Sequence, residues 1–320
     1  MESAEKSSKT VWVGRYKLDL PADAVLEGAS LELNGVPVSI TPGYIKSRVE
    51  REALKNWKTI ENRNLHNAEH NAKKEKLANG SFIFNYDHTR ITGEGLDGEP
   101  INKVVYSTVA YQWANNMKFK LGNDSTLNKD EQIRLLLERI ERDNESDTGG
   151  ICYAGGCLAH ETGDEGAYVN FIFQNHPDLR AKFTSKQYGG EANQPLSQRG
   201  SSGSSPSDEA VWVLQSDFQH KTLRNTKRAV NHLMGEEVIE ASTEKSADGY
   251  LTEINAVWYY PGIPNSNDKP ELRLDLDYSY ITKEKPINGA GFPVNDETNT
   301  LTESEFMKIW NQALDSLIAR

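Results

Sequence analysis

Cysteine is nearly absent from this chain. Only Cys152 and Cys157 occur in 320 residues, so no further cysteine exists to complete a four-thiolate zinc site. Their C-x4-C spacing is not the C-x-x-C of dithiol redox enzymes. In GGICYAGGCLAHE glycine pairs flank both thiols, which leaves two readings open: a disulfide staple across a tight bend, or two free thiols. Closing so small a loop contributes about 2 kcal/mol.

Long apolar runs are missing as well. No stretch approaches the roughly 20 residues that a membrane helix needs. Met1 is followed by polar ESAEKSSKT, not by a basic start and an apolar segment, so the sequence supplies no secretory or lipoprotein peptide as written. Basic charge is in deficit: 36 Lys+Arg against 47 Asp+Glu give −11, which repels phosphate backbones and anionic lipid and argues against nucleic acid or direct membrane insertion. The deficit is local. Up to Glu145 the chain is nearly neutral, with 21 basic and 22 acidic residues, and the remainder holds 15 and 25.

Catalytic signatures are equally sparse. No G-x-S-x-G elbow occurs, RGSSGSS lacks its spacing, and the glycines of GGICYAGG are not followed by the Lys-Ser/Thr of a phosphate loop. HNAEH alone has enzymatic geometry: on a helix, His66 and His70 stand one turn apart beside Glu69, as in H-x-x-E-H zinc peptidases. Its flanks, ENRNL and NAKKEK, offer no apolar wall for a dry site, and the exposed polar helix is the favoured reading. The sequence therefore assigns no catalytic, cofactor-binding or metal-binding residue.

What the sequence does contain is enough apolar material for packed cores: 37% hydrophobic residues, with Trp 6, Tyr 13 and Phe 9. The length favours two domains. TVWVGRYKLDLP alternates and stops at proline, which reads as one strand from Thr10 to Pro21. ASLELNGVPVSI sets Asn34-Gly35 between two short alternations, the signature of a two-residue hairpin. From Gly43 the period becomes helical, with Tyr44, Ile45, Val49, Ala53, Leu54, Trp57 and Ile60 near one face. The polar extension to Gly80 reads as exposed helix or loop, and SFIFNY, KVVYSTVAYQW and KFKLGN read as strands. Residues 128–142 form a helix capped by Asn128, with Ile133, Leu136, Leu137 and Ile140 inward.

DNESDTGG then marks a boundary, giving domains 1–145 and 146–320. In the second, GAYVNFIFQ, TLRNTKRAVNHL, EEVIEAS, EINAVWYYPG and LRLDLDYSYI read as strands. The Ser/Gly tract at 197–207 reads as a flexible tether. Thr302 and Glu305 make a capping box for a last helix whose stripe is Phe306, Ile309, Trp310, Ala313, Leu314 and Leu317. GDEG makes an exposed acidic turn, so Asp164 and Glu165 are the candidate contacts for a basic partner surface.

The sequence also resembles the immunity proteins of type VI secreted lipase effectors, the fourth Tle/Tli class. The likeness is carried by VGRYKLDLPADA, by GGICYAGGCLAHE followed by VNFIFQNHPD, by RAVNHLMGEEVIE, by VWYYPG with LRLDLDY, and by LTESEFMKIWNQALDSL. The resemblance implies an α+β fold of two domains, each a mostly antiparallel sheet with helices, arranged like a claw. It implies a protein without catalysis or cofactor, monomeric when alone, whose partner is the lipase. The claw would grip the lid region and block lipid access in the periplasm, protecting the producing cell and its kin. A zinc hydrolase built on HNAEH and an envelope adaptor with a non-lipase partner are the rival readings.

Overall fold

The structure, a computed structural model, describes residues 8–64, 71–94, 97–142, 150–153, 156–159, 163–198, 218–286, 289–293 and 300–319. The fold is α+β, dominated by antiparallel strands. The chain packs as two compact units, a terminal unit of Met1–Ala29 with Ala167–Arg320 and a central unit of Ser30–Gly166.

In the central unit the end of β3 (Ala24–Leu33) pairs with β4 (Val36–Pro42) so that Leu33 faces Val36. The turn between them has Asn34 at φ 53° and Gly35 at φ 73°, the two positive angles that the Asn-Gly dipeptide predicts. From β4 the strand order runs through β8 (Met117–Leu127), β7 (Pro100–Ala114), β6 (Phe82–Glu94) and β5 (Lys73–Lys76). Helix α1 (Lys46–Asn64) buries Val49, Ala53, Trp57 and Ile60 against Phe82, Phe84, Tyr86, Val109 and Tyr111. Its buried stripe is narrower than the periodicity suggests, because Ile45 and Leu54 lie exposed.

Helix α2 (Asp130–Arg142) buries Ile133, Leu136, Leu137 and Ile140, as its period requires. Asn128 does not cap it. That residue takes a left-handed φ of 53°, and its Oδ1 accepts from the Tyr106 amide at 3.1 Å, tying the helix entry to β7. Strand β5 replaces the helix or loop expected before Gly80. Its KKEK sequence uses the two-residue period to serve both sides of the sheet: Lys74 and Lys76 lie over the rings of Trp57 and Phe82 at 5.3 and 5.1 Å, while Glu75 takes both guanidinium nitrogens of Arg134 from α2. The lysines also keep this sheet edge from pairing with a foreign strand. Strands β9 (Gly150–Tyr153) and β10 (Gly156–Ala159) form a small hairpin whose register sets Cys157 opposite Cys152. The choice between staple and free thiols falls outside the described side chains, as do HNAEH and the segment from Arg199 to Asp217 with most of the Ser/Gly tract.

In the terminal unit β1 (Ser8–Gly14) and β2 (Tyr16–Pro21) form a hairpin with Val13 opposite Tyr16, so the single strand read over Thr10–Pro21 is broken at Gly14-Arg15. The larger sheet has the order β13 (Gln219–Val230), β14 (Leu233–Ser246), β15 (Gly249–Tyr260), β16 (Glu271–Thr282), β12 (Leu179–Lys186), β11 (Glu165–Phe173). Helix α3 (Glu303–Asp315) starts at Thr302 with both halves of the capping box made, and it buries Phe306, Trp310, Ala313 and Leu314.

What anchors α3 is a carboxylate. Glu237 on β14 is 2% exposed. It accepts from Trp310 Nε1 at 2.6 Å, from Arg228 Nη1 at 3.0 Å and from Arg224 Nη1 at 3.3 Å. Arg228 also reaches Asn311 Oδ1 and Asp315 Oδ1 on the helix, at 2.9 and 2.7 Å. The backbone oxygen of Arg228 accepts from Trp258 Nε1 at 3.1 Å, and a Cβ at position 235 would stand 2.5 Å from that indole, so Gly235 is the residue that lets the ring lie flat on β14.

The expected division at 145/146 does not coincide with the compact units. The N-terminal hairpin belongs with the C-terminus: β2 pairs with β17 (Ile318–Ala319), the Asp19 amide donates to Ser316 Oγ at 2.7 Å, and Tyr16, Leu18 and Leu20 are buried. The segment up to Gly166 belongs with the central unit, where the Asn34 amide donates to the Asp164 carbonyl at 2.8 Å. Turn-forming composition reports where the chain bends, and non-local pairing decides which core it joins.

Two substitutions probe this account in urea unfolding. Glu237→Ala leaves two guanidinium groups and an indole N–H without their shared acceptor and lowers stability by about 3 to 5 kcal/mol. Thr302→Ala removes only the cap and costs about 1 kcal/mol.

Candidate partner-binding surfaces

The sequence offers GDEG as the contact turn, and the structure separates its two acids. Asp164 is exposed, while its backbone carbonyl is held by Asn34. Glu165 opens β11 and is only 6% exposed. The expectation that both carboxylates face a partner is therefore corrected for Glu165: strand alternation turns it inward at the first residue after the turn. Glu165 and Asp164 are not one acidic patch.

A second surface was not apparent from the sequence. Strands β6 and β7 extend beyond the sheet as a two-stranded ribbon. Up to Tyr86 the strand alternates against the α1 core; from Thr89 to Glu94 no β6 residue is buried. Opposite them, residues 100–105 of β7 are also unburied. Both faces of the ribbon thus meet solvent, with Ile91 40% and Val104 51% exposed and Arg90 Nε donating to Asn102 Oδ1 across the strands at 2.9 Å. A two-stranded ribbon contributes no core of its own, so these apolar positions are not explained by packing. The available signal was TRITGE followed by DGEP, a strand and a turn that composition alone reads as loop.

The ribbon leaves the sheet at an irregularity between Tyr86 and Thr89, where Asp87 takes a φ of 52°. An ion and hydrogen-bond clamp fixes that point. Arg63, in the last turn of α1, contacts Asp87 Oδ2 at 2.8 Å and Asp124 Oδ2 on β8 at 3.3 Å, and its guanidinium lies 5.2 Å from the centre of the Tyr86 ring. The Tyr86 hydroxyl donates to Asp124 Oδ1 at 2.5 Å. That hydrogen bond, with the Arg63 charge, holds the Asp124 carboxyl below the usual carboxylate range, and burial pushes the Tyr86 phenol well above its ordinary value. Above the ribbon base, His88 stacks on Tyr106 with ring centres 5.0 Å apart.

Among the described residues no group of three or more His, Cys, Asp or Glu side chains is placed to hold a metal ion, and no helix is long and apolar enough to cross a membrane. The arrangement can present a shape and a charge pattern, and the ribbon is one part of that display.

Because Asp124 is depressed, the clamp contributes its stability above the ordinary carboxylate range and loses it as pH falls through the folded-state value. Asp124→Asn is therefore expected to lower the thermal midpoint at pH 7, with the gap to the parent chain closing as pH drops below that range. A gap independent of pH would show that the clamp is not ionic.

Three solved structures share this fold across its length. The chain resembles the crystal structure of the Tle4-Tli4 complex at 18% identity and a TM-score of 0.70, with 99% of each chain covered. It resembles the immunity protein TplEi of the type VI secretion system from Pseudomonas aeruginosa, complexed with "L" peptide, at 17% identity and a TM-score of 0.67, again with 99% of each chain covered. The apo form of TplEi gives the same identity and TM-score, covering 99% of this chain and 98% of that one. No curated protein matches the chain. Residues 144–320 match the family model described as Tle cognate immunity protein 4 C-terminal domain, a span of more than half the sequence that begins within the polar stretch DNESDTGG. By that match the chain belongs to the Tle cognate immunity protein 4 family.

Proposed function

We propose that this protein is the immunity partner of a type VI secreted phospholipase and that it silences the enzyme by binding, without chemistry of its own. The observation that carries the reading is the family match over residues 144–320. Full-length likeness of fold to an immunity protein and to a complex containing one supports it. In this reading the partner is the cognate lipase, the complex forms in the periplasm where such an effector arrives, and the producing cell and its kin are protected.

The inhibitory step is a population shift. A lipase must open its lid to meet lipid, so a protein that grips the closed lid lowers activity by its differential affinity for that state. Shielding the lipid-contacting surface adds steric exclusion. Electrostatics favours the encounter, because the chain carries −11 and Asp164 offers a rim charge to a basic surface. Apolar anchors contribute more to affinity than rim charges do, and the ribbon residues Ile91 and Val104 are among the exposed candidates.

The defining experiment is phospholipid hydrolysis by the cognate lipase, titrated with this chain. Activity falls to zero near one equivalent; full activity at excess chain overturns the proposal. A lipase held lid-open by a covalent phosphonate in micelles binds the chain at least about tenfold more weakly than the free enzyme if the lid is the target. Within the complex, Asp164→Lys slows association and flattens its salt dependence, whereas Ile91→Asp with Val104→Asp speeds dissociation. Unchanged rates in either variant remove that surface from the interface.

A further inference from the structure

The two cysteines of this 320-residue chain stand at one rung of one short hairpin, because the register of β9 and β10 sets Cys157 opposite Cys152. Only residues 154 and 155 separate the strands, so Gly156 opposite Tyr153 is the pair that closes the turn. A two-residue connection closes on a hydrogen-bonded pair. Antiparallel pairs alternate, so the cysteines fall at the next rung, a non-hydrogen-bonded one, where Cα atoms stand about 4.5 Å apart. That spacing lies within the roughly 4.4 to 6.8 Å that a disulfide spans.

The other rungs give the hairpin little else. Gly156 faces Tyr153 and Gly150 faces Ala159, so two of the four pairs include a residue without a side chain. Leu158 opposite Ile151 is the one apolar pair of large residues. A hairpin of four residues a strand is marginal on such pairing. Yet this one has a fixed place: Ile151 is 1% exposed, and β10 packs beside α2. Strand alternation keeps Ile151 and Leu158 on one face and puts both cysteines on the other, so a covalent rung adds to the apolar pair without displacing it.

We infer that Cys152 and Cys157 are a disulfide site, a covalent rung that clips β9 to β10. The bond forms by exchange with a disulfide donor, either a small molecule such as oxidised glutathione or a protein. One cysteine thiolate attacks a donor sulfur and expels one donor thiolate; the second attacks the resulting mixed disulfide and expels the other. The cysteine pair loses two electrons and two protons, and the donor leaves as two thiols. The register that carries this inference is independent of the immunity reading.

The test uses the full chain in buffers of reduced and oxidised glutathione, quenched with acid and alkylated in denaturant. Chymotryptic cleavage after Tyr153 then reports the state of the pair: in the oxidised chain the two fragments stay joined until reduction, and the uncleaved peptide is lighter by two hydrogens than its reduced form. The glutathione equilibrium of the native chain is expected to favour the disulfide at least about tenfold over that of the same chain in urea, the excess that a folded register confers over nearness in sequence. Oxidation is expected to slow deuterium exchange at the Ile151 and Leu158 amides by at least about tenfold and to leave the α3 amides unchanged. Cys152→Ser abolishes both effects and keeps the α3 protection. Native thiols that stay free, or that take up glutathione singly, under oxidising conditions overturn the inference, and so do disulfide-linked dimers. An equilibrium no more favourable than that of the unfolded chain overturns it as well, and exchange rates indifferent to oxidation would remove the clip. Each of these outcomes can be read whether or not the chain inhibits a lipase.

Discussion

The terminal unit depends on one buried negative charge. Removing a carboxylate from water costs several kcal/mol, and Glu237 is tolerated because Trp310, Arg228 and Arg224 converge on it from a helix and an edge strand. The arrangement specifies more than it stabilises. The α3 face must present Trp310 to β14, and β13 must keep the register in which Arg224 and Arg228 flank the same oxygen. Strand β13 is otherwise almost unburied along its length, so the two arginines do for it what a hydrophobic face does for an inner strand. One of the acids in an apparently uniform solvated surface is thus an internal fastener.

The central unit relies on a different constraint, a sheet covered by a helix on each side. The period-2 alternation of β5 and β6 directs Phe82, Phe84 and Tyr86 toward α1 and directs Asn85 to Asp130 at the start of α2, with an Nδ2 to Oδ1 distance of 3.1 Å. Where the cover ends, the alternation loses its purpose, and the same two strands continue as a ribbon wet on both faces. The clamp of Arg63, Asp87, Asp124 and Tyr86 stands at that transition. Burial below it and exposure above it therefore follow from how far α1 reaches along the strands.

Local signals were legible in the sequence and non-local ones were not. The Asn34-Gly35 turn, the capping box at Thr302 and the stripes of α1, α2 and α3 each depend on residues within a few positions of one another, and each is present. Strand β12 was missed because LRAKFTSK alternates apolar with charged and small polar residues that composition reads as loop. Asn128 was misassigned because an Asx side chain serves a cap or a cross-strand contact equally well, and only the position of Tyr106 decides. Glu165 looked exposed because the turn was visible while the burial of β11 was not. For the interface the loss was greater: nothing in TRITGE says that its partner strand also lacks a core.

The terminal unit is closed by two segments about 300 positions apart in the sequence, with β2 pairing to β17 at Ile318 and Ala319 and α3 just before them. Residues 30–166 can complete their own contacts while the ribosome is still decoding the rest. The first hairpin cannot. Its buried Tyr16, Leu18 and Leu20 must wait until Ile318 and Ala319 have been translated, so the central unit can order before the hairpin that precedes it in the sequence.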